Sequence, residues 1–162
     1  SVVTIAFCLT FLQSVTDFVR RNPLAYVTGY QSVGDYLTTH LWSHYLAMDY
    51  INRELPADAC VFFLWETRSY YCDRCCRPDL ILDAFIGLRS QFGSAPMIVD
   101  GLKRAGYTHV LLYKWGMDFV VSEKDSPLGE ADLAAFRELE REYWKPVYTV
   151  EASQPFVLYA IR

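Results

Sequence analysis

ACVFFLW, residues 59–65, is an unbroken apolar run of strand length that follows a Pro-Ala-Asp sequence. Such a run is typical of a strand that is buried on both faces of a sheet. A second run, THVLLY at residues 108–113, comes after a predicted helix that begins at the Ser94 cap and ends at Gly106. Helix, glycine and buried strand form the second half of a βαβ unit, which predicts a sheet with parallel strands.

The flanking sequence completes an α/β pattern around these two strands. The other predicted elements are a helix over 32–55 with a bend near 40–43, a short strand over 80–82, a surface loop over 120–129, a helix over 130–144, and strands over 147–150 and 156–161 that are joined by 151–154. This order predicts three layers: a mostly parallel, Rossmann-like sheet with helices on both faces and a C-terminal antiparallel hairpin.

The composition favours a single folded domain and argues against one class of partner. The 162 residues are 52% hydrophobic and 16% aromatic, which is far from the composition of a disordered chain. The net charge of −4 leaves no basic field that could gather phosphates. We therefore expect no nucleic-acid partner.

The N-terminal stretch SVVTIAFCLTFLQSVT, residues 1–16, carries no charge and lacks the basic region of a signal peptide. It is shorter than the roughly 20 apolar residues that cross a bilayer, so we expect no complete span. It is either a core or interfacial helix or the last turns of a transmembrane helix. The chain begins with Ser1 rather than Met, which suggests a piece of a longer protein. We expect an N-terminal helix over 1–22 and one α/β domain over 23–162.

Five cysteines give three interpretations of the segment Cys72–Cys76. Cys72 and Cys75 have metal-ligand spacing, but a structural zinc site needs a full tetrahedral set and nothing brings His40 or His44 to them. A redox motif opens a helix directly after a strand, whereas here the strand ends at residue 65. If a disulfide forms, a bond between Cys72 and Cys75, or a bond to Cys60, is favoured over the vicinal pair Cys75–Cys76. Surface or half-buried cysteines without a task are the third interpretation. We expect no metal.

Motifs for other chemistry are missing from the sequence. There is no Gly-x-Ser-x-Gly elbow, no Gly-x-Gly-x-x-Gly fingerprint and no P-loop after a strand. His109 stands at the start of a predicted strand, where we expect it to satisfy the strand edge rather than a catalytic role. We therefore expect no cofactor.

Polar and aromatic side chains follow the predicted strands, where open α/β sheets collect their ligands. They could form a polar, aromatic-walled site for a sugar or a lipid headgroup. The predicted binding residues are Glu66, Arg68, Tyr70, Tyr71, Asp83 and Lys114, with Trp115 beside the last. The alternative is that Glu66 and Arg68 form an ion pair that only ties a loop to the sheet.

Residues 45–74, YLAMDYINRELPADACVFFLWETRSYYCDR, carry a family resemblance. Tyr50-Ile51-Asn52 with Leu55-Pro56, the strand that runs into Glu66-x-Arg68-x-Tyr70-Tyr71, and Ala105 to Leu111 resemble pieces of the soluble extracytoplasmic C-terminal domain of bacterial GT-C type membrane glycosyltransferases. These enzymes are similar to the dolichyl-phosphate-mannose protein mannosyltransferases. The resemblance runs from about Leu24 to the C-terminus.

The resemblance implies a role outside the catalytic centre. In that family a membrane bundle transfers sugar from a polyprenyl-phosphate donor, and the catalytic acid lies in an early loop that this chain does not contain. We therefore expect a non-catalytic accessory domain on the extracytoplasmic side. Its expected partners are the upstream transmembrane bundle of the same chain and a polyprenyl-phosphate sugar or an acceptor. Arg20 and Arg21 point the other way, since basic residues beside a span favour the cytoplasmic side.

Two alternatives stay open beside this one. The chain could be a stand-alone α/β small-molecule-binding domain or enzyme with its site at Glu66 and Arg68. It could also be a thiol or zinc module built around Cys72–Cys76.

Overall fold

A computed structural model describes residues 1–151, 153 and 155–162 of the chain. These residues form two compact units, Ser1–Trp42 and Ser43–Arg162. The helices are α1 Val2–Arg21, α2 Pro23–Val27, α3 Val33–Leu41, α4 Ser43–Glu54, α5 Ala84–Phe92, α6 Ala95–Arg104, α7 Lys114–Ser122 and α8 Glu130–Glu138. The strands are β1 Cys60–Leu64, β2 Cys75–Arg77, β3 His109–Tyr113, β4 Trp144–Val150 and β5 Phe156–Ile161. The predicted boundary after residue 22 stays a prediction.

Helix α1 is longer than the sequence pattern suggested. Its 20 residues have a mean hydropathy of 1.8, which is enough by length and composition to cross a membrane. The apolar stretch is thus part of a longer helix than expected, because the helix continues past residue 16 to Arg21. None of its residues, all of which the structure describes, is buried. Whether the helix spans a membrane stays a prediction.

Helices α2 and α3 complete the first unit. The Ser32 side chain caps α3, because it accepts a hydrogen bond from the Asp35 backbone N–H at 3.1 Å. The helix predicted over 32–55 is interrupted at Trp42, which has a φ of 51°. Helix α2 forms a single short helical segment before α3.

The second unit holds a five-stranded sheet in the order β2-β1-β3-β5-β4. The pairs β1–β2 and β1–β3 are parallel, and the pairs β3–β5 and β4–β5 are antiparallel. The sheet is thus mixed. The predicted α/β fold is confirmed, whereas the sheet is not the mostly parallel, Rossmann-like sheet that was expected. The reason is the C-terminal hairpin, because strands joined by a short connection must be antiparallel. Of the predicted connection 151–154, residues 152 and 154 lie outside the described residues.

Helices cover both faces of this sheet. Alternate residues of β1 enter opposite cores: Val61 and Phe63 pack with α4, and Phe62 and Leu64 pack with α5, α6 and α8. All five β1 residues are buried, as the apolar run predicted. The sheet is therefore the middle of three layers, and its carboxyl end is free to carry a site.

The segment after β1 differs from its prediction. Residues 80–82 form a turn rather than a strand, and β2 lies earlier, at Cys75–Arg77. The Asp79 side chain explains the turn, because it accepts hydrogen bonds from the backbone N–H groups of Trp65, Asp83 and Ala84. Helix α5 follows directly, and the sequence analysis had not predicted it.

Two later elements also have different bounds. Helix α7 covers the first residues of the predicted loop 120–129, since it runs on from the end of β3. The predicted helix over 130–144 consists of α8 and a π-helical turn, Leu139–Tyr143. Trp144 already begins β4 and is fully buried.

Candidate functional site

A cavity of about 400 Å³ opens at the carboxyl ends of β1 and β3, where ligands of open α/β sheets bind. We call it the carboxyl-end pocket. Its charged lining is Glu66 and Arg68, and its aromatic lining is Trp65, Tyr113, Trp115 and Phe119. The sequence analysis expected a polar, aromatic-walled site in this place, although with a different set of aromatic residues.

Glu66 and Arg68 form a bidentate ion pair inside the pocket. Arg68 Nε and Nη2 donate to the two carboxylate oxygens of Glu66 at 2.8 Å each, and the Arg68 backbone N–H donates to Oε1 at 2.8 Å. The Glu66 side chain is 2% exposed, whereas that of Arg68 is 45% exposed. The hydrogen bonds to Glu66 raise the pKa of the Arg68 guanidinium. Both carboxylate oxygens therefore bind Arg68, and the outer N–H groups of the guanidinium remain for a ligand.

Asp79 is the buried residue that holds this end of β1 in shape. Its backbone N–H donates to the Glu66 carbonyl at 3.0 Å, and its side chain accepts from the Trp65 backbone N–H at 2.9 Å. The same carboxylate accepts from the backbone at the start of α5. Burial raises the pKa of the Asp79 carboxyl, while these backbone hydrogen bonds oppose the rise. Asp79 thus connects the pocket loop to α5.

Two pocket residues have strained backbones. Trp65 and Leu82 both have a φ of 59°, in the left-handed region that side chains with a Cβ rarely occupy. Each such conformation costs about 1–3 kcal/mol and persists only where the surroundings enforce it. Asp79 supplies that constraint, because it binds the N–H of Trp65 and that of Asp83, directly after Leu82.

Helix α7 supplies the aromatic wall. Trp115 and Phe119 stack with ring centroids 5.8 Å apart and an interplanar angle of 16°, and both are about half exposed. Gly116 allows α7 to approach β1 closely, since a Cβ there would lie 2.8 Å from the Trp65 carbonyl oxygen. Burial raises the pKa of the Tyr113 hydroxyl on the inner side of the pocket.

His44 supports the pocket from behind. Its Nε2–H donates to the Arg68 carbonyl at 2.9 Å, and the residue is 2% exposed. Its Nδ1 has no hydrogen-bond partner among the described residues. Burial lowers the pKa of His44, although the hydrogen bond to Arg68 and the charge of Glu66 work against this. His44 is thus neutral at physiological pH and fixes the backbone that carries the guanidinium.

Four cysteines form two disulfides, Cys60–Cys75 and Cys72–Cys76. The predicted bond to Cys60 is confirmed, because the parallel register places Cys75 directly opposite Cys60. A bond between Cys72 and Cys75 is excluded by this pairing. Cys8 in α1 is free and exposed. In the described part of the chain, no group of three or more His, Cys, Asp or Glu side chains could hold a metal ion.

The structure places the other predicted binding residues outside the carboxyl-end pocket. Tyr70 is 87% exposed, and Tyr71 packs edge-on against Tyr45 of α4. Asp83 lines an adjacent cavity, and Lys114 lines one beside β4 and β5. Glu66 and Arg68 are therefore the predicted residues that the pocket brings together. Ligand binding by any of the six stays a prediction.

Several residues that build the pocket escaped the sequence analysis. They are Asp79, His44, Tyr113, Gly116 and Phe119. The one local signal is the position of Tyr113 at the end of an apolar run, followed at once by Trp115. Comparison of the chain with protein-family models, curated proteins and solved structures finds no match.

Proposed function

We propose that the chain is a non-catalytic, membrane-anchored domain on the extracytoplasmic side of a glycosyltransferase-like membrane protein. We propose further that its carboxyl-end pocket binds the sugar part of a lipid-linked substrate or acceptor. The observation that carries the proposal is the pocket itself, in which an ion-paired guanidinium faces a stacked aromatic pair.

The geometry of the pocket suits a neutral, polyhydroxylated ligand. The outer N–H groups of Arg68 can donate to hydroxyl oxygens, and the exposed rings of Trp115 and Phe119 offer flat apolar faces to the C–H side of a sugar. Pockets of this kind combine an apolar lining with a few placed polar groups. A volume of about 400 Å³ accommodates one or two sugar rings.

The same geometry argues against catalysis within this pocket. Glycoside chemistry uses two carboxyl groups, one as acid and one as base or nucleophile. Glu66 is the one carboxylate among the described residues that line the pocket, and both of its oxygens bind Arg68. The pocket therefore lacks, among the described residues that line it, the second carboxyl group that glycoside chemistry requires.

Membrane anchoring is supported by α1, whose apolar side chains find no burial in the described structure. The extracytoplasmic side is supported by the two disulfides, because disulfides persist in oxidising compartments. Arg20 and Arg21 at the end of α1 favour the opposite orientation. The disulfides and the basic pair thus predict opposite sides of the membrane for the domain, and a thiol count can decide between them.

The topology test uses thiol blocking in intact cells that express the full-length protein. A membrane-permeant maleimide is added before lysis, and the blocked thiols are counted within this chain's residues. Cys8 is left out of the count, because the proposal places it inside the bilayer, where the reactive thiolate does not form. The proposal expects the other four cysteines to stay unblocked without reductant and to be blocked after reduction. Blocking of these four without reductant would contradict the extracytoplasmic side. The same full-length gene is expected to encode many hydrophobic spans before Ser1; a reading frame that starts near Ser1 would favour the stand-alone domain.

The binding test uses the double variant Glu66→Ala, Arg68→Ala. Removing both members of a buried pair is close to neutral for stability, whereas removing one leaves an unpaired charge. We expect the double variant to fold and to lose the saturation-transfer NMR signal of bound monosaccharides and sugar 1-phosphates. The matched control is Arg77→Ala, since Arg77 is an exposed arginine at the far side of β2. If the double variant unfolds, the ion pair serves the fold, as in the alternative above.

A further inference from the structure

The first unit contains a cavity of its own, of about 340 Å³, where α1 ends and α3 ends. We call it the basic cavity. It is lined by Asp17, Arg20, Arg21, Thr39, His40 and Trp42. His40 joins the two helices, because its Nε2 lies 3.0 Å from the carbonyl oxygen of Arg21. The cavity therefore lies next to a hydrogen-bonded contact between α1 and α3.

The basic cavity carries a net positive charge, because its lining holds two arginines, Arg20 and Arg21, and one carboxylate, that of Asp17. Among the described residues, neither Arg20 nor Arg21 forms an ion pair. The two ring nitrogens of His40 face the carbonyl oxygens of Tyr36, at 2.7 Å, and of Arg21. The two guanidinium groups are thus left without a carboxylate partner.

The other polar groups of the lining are already occupied. The Thr39 hydroxyl donates to the Asp35 carbonyl at 2.8 Å, and the Trp42 indole N–H donates to the Thr39 carbonyl at 2.6 Å. The two guanidinium groups are thus the donors left for a ligand. Arginine is suited to phosphate, because its planar fork donates two parallel hydrogen bonds.

The position of the cavity indicates where such a phosphate would come from. It lies at the end of the one helix that is long and apolar enough to span a membrane among the described residues. An exposed aromatic side chain lies at this end, because Trp42 lines the cavity and is 57% exposed. Aromatic residues of this kind gather at the headgroup level of a bilayer.

We propose that the basic cavity binds the phosphodiester headgroup of an anionic phospholipid. Arg20 and Arg21 hold the phosphate oxygens, and the Trp42 ring lies at the boundary with the acyl chains. This inference rests on the membrane anchoring of α1 in the proposed function, and not on the carboxyl-end pocket. It also gives the basic pair a task on a side of the membrane where such residues are otherwise disfavoured.

The test uses the full chain in lipid nanodiscs made from equal parts of phosphatidylglycerol and phosphatidylcholine. After exchange into a neutral detergent, mass spectrometry measures the ratio of the two lipids that stay bound. We expect the wild type to retain phosphatidylglycerol. We expect the Arg20→Gln, Arg21→Gln variant to lower the ratio about thirtyfold, because each basic residue beside anionic lipid contributes about 1 kcal/mol and about 1.4 kcal/mol is tenfold.

The matched control is Lys103→Gln, Arg104→Gln. This pair also lies exposed in the last turn of a helix, α6, but in the other unit. The control variant should leave the ratio unchanged, and an equal fall in both variants would overturn the inference. An equal affinity of the wild type for both lipids would also overturn it.

Two further arms separate the remaining outcomes. Inorganic phosphate added during the exchange should leave the lipid bound, because the acyl chains hold it in place; displacement would mean a free-phosphate site and would overturn the headgroup assignment. Alkaline carbonate extraction reports on α1 alone. A chain that is washed off the membrane contradicts the anchoring in the proposed function, whereas a chain that stays without lipid preference contradicts only the headgroup site.

Discussion

Helix α1 and strand β1 are both rich in apolar residues, and they differ completely in burial. All residues of β1 are buried between two helical layers, whereas no residue of α1 is buried. The two segments differ in length and in what packs against them. Strand β1 is five residues long and has a strand on each side. Helix α1 is 20 residues long and none of its residues is buried. One segment lies in a protein interior, whereas the other leaves its apolar side chains exposed.

The largest expected effect comes from emptying the core at β1. Phe63 is fully buried, and Phe63→Ala should lower the free energy of unfolding by about 3–5 kcal/mol, through lost burial and a cavity. The same change in α1, Phe11→Ala, should shift it by no more than about 0.5 kcal/mol, because Phe11 is 61% exposed. Urea denaturation in neutral detergent, followed by near-ultraviolet circular dichroism, measures both. Similar losses would show that α1 belongs to the folded core.

The second prediction concerns a change in α1 that should affect membrane insertion and not the stability of the second unit. Leu9→Arg places a charge near the middle of α1 and should disfavour membrane insertion by about 3–4 kcal/mol. It should leave urea unfolding of the second unit unchanged. Carbonate extraction measures insertion, and Leu80→Arg, at an exposed position in the second unit, serves as the control. An inserted Leu9→Arg chain would indicate that α1 is not a span.

The third prediction concerns the covalent support of β1. Cys60→Ala with Cys75→Ala opens a loop with a sequence separation of 15 and should lower stability by about 3 kcal/mol. Cys72→Ala with Cys76→Ala opens a loop with a separation of 4 and should have a smaller effect, about 2 kcal/mol. Cys8→Ala in α1 should have none. Non-reducing urea denaturation ranks the three variants. A loss of stability in Cys8→Ala would contradict the contrast between the buried β1 and the exposed α1.

The smallest effect concerns His44, which underlies the Arg68 backbone. Because burial lowers its pKa, the folded state binds fewer protons than the unfolded state at acidic pH. Stability is therefore complete above about pH 6.5 and falls as the pH drops, by at most about 1.4 kcal/mol per pH unit, until the lowered pKa is passed. His44→Gln keeps a donor for the Arg68 carbonyl and should remove this part of the pH dependence. Parallel urea curves from pH 5 to pH 8 measure it.

Three of the predicted strands have a local signal, because β1, β3 and β5 are apolar runs that are largely buried. A strand was also predicted over 147–150, as one arm of the C-terminal hairpin, and it is the second part of β4. β2 is different, because two of its three residues are exposed and its pairing depends on Cys60, at the far end of a loop. Helix α5 begins where the buried Asp79 carboxylate accepts a hydrogen bond from the Ala84 backbone N–H. The local sequence pattern does not indicate this contact.

The residues of the candidate site also fall into those with a local sequence signal and those without one. Glu66 and Arg68 were predictable because they directly follow a recognisable strand. Asp79 and His44 were not, since they act across sequence separations of 14 and 24 residues. Gly116 matters only because α7 lies against the Trp65 carbonyl, which is a fact of packing rather than of sequence.

The placement of β5 has a consequence for biosynthesis. β4 is bonded only to β5, and β5 lies between β4 and β3, so β4 has no place in the sheet until β5 has been made. While the ribosome is still adding residues 144–155, the nascent domain can hold at most three paired strands. The five-stranded sheet can therefore be completed only after residues 156–161 have been synthesised.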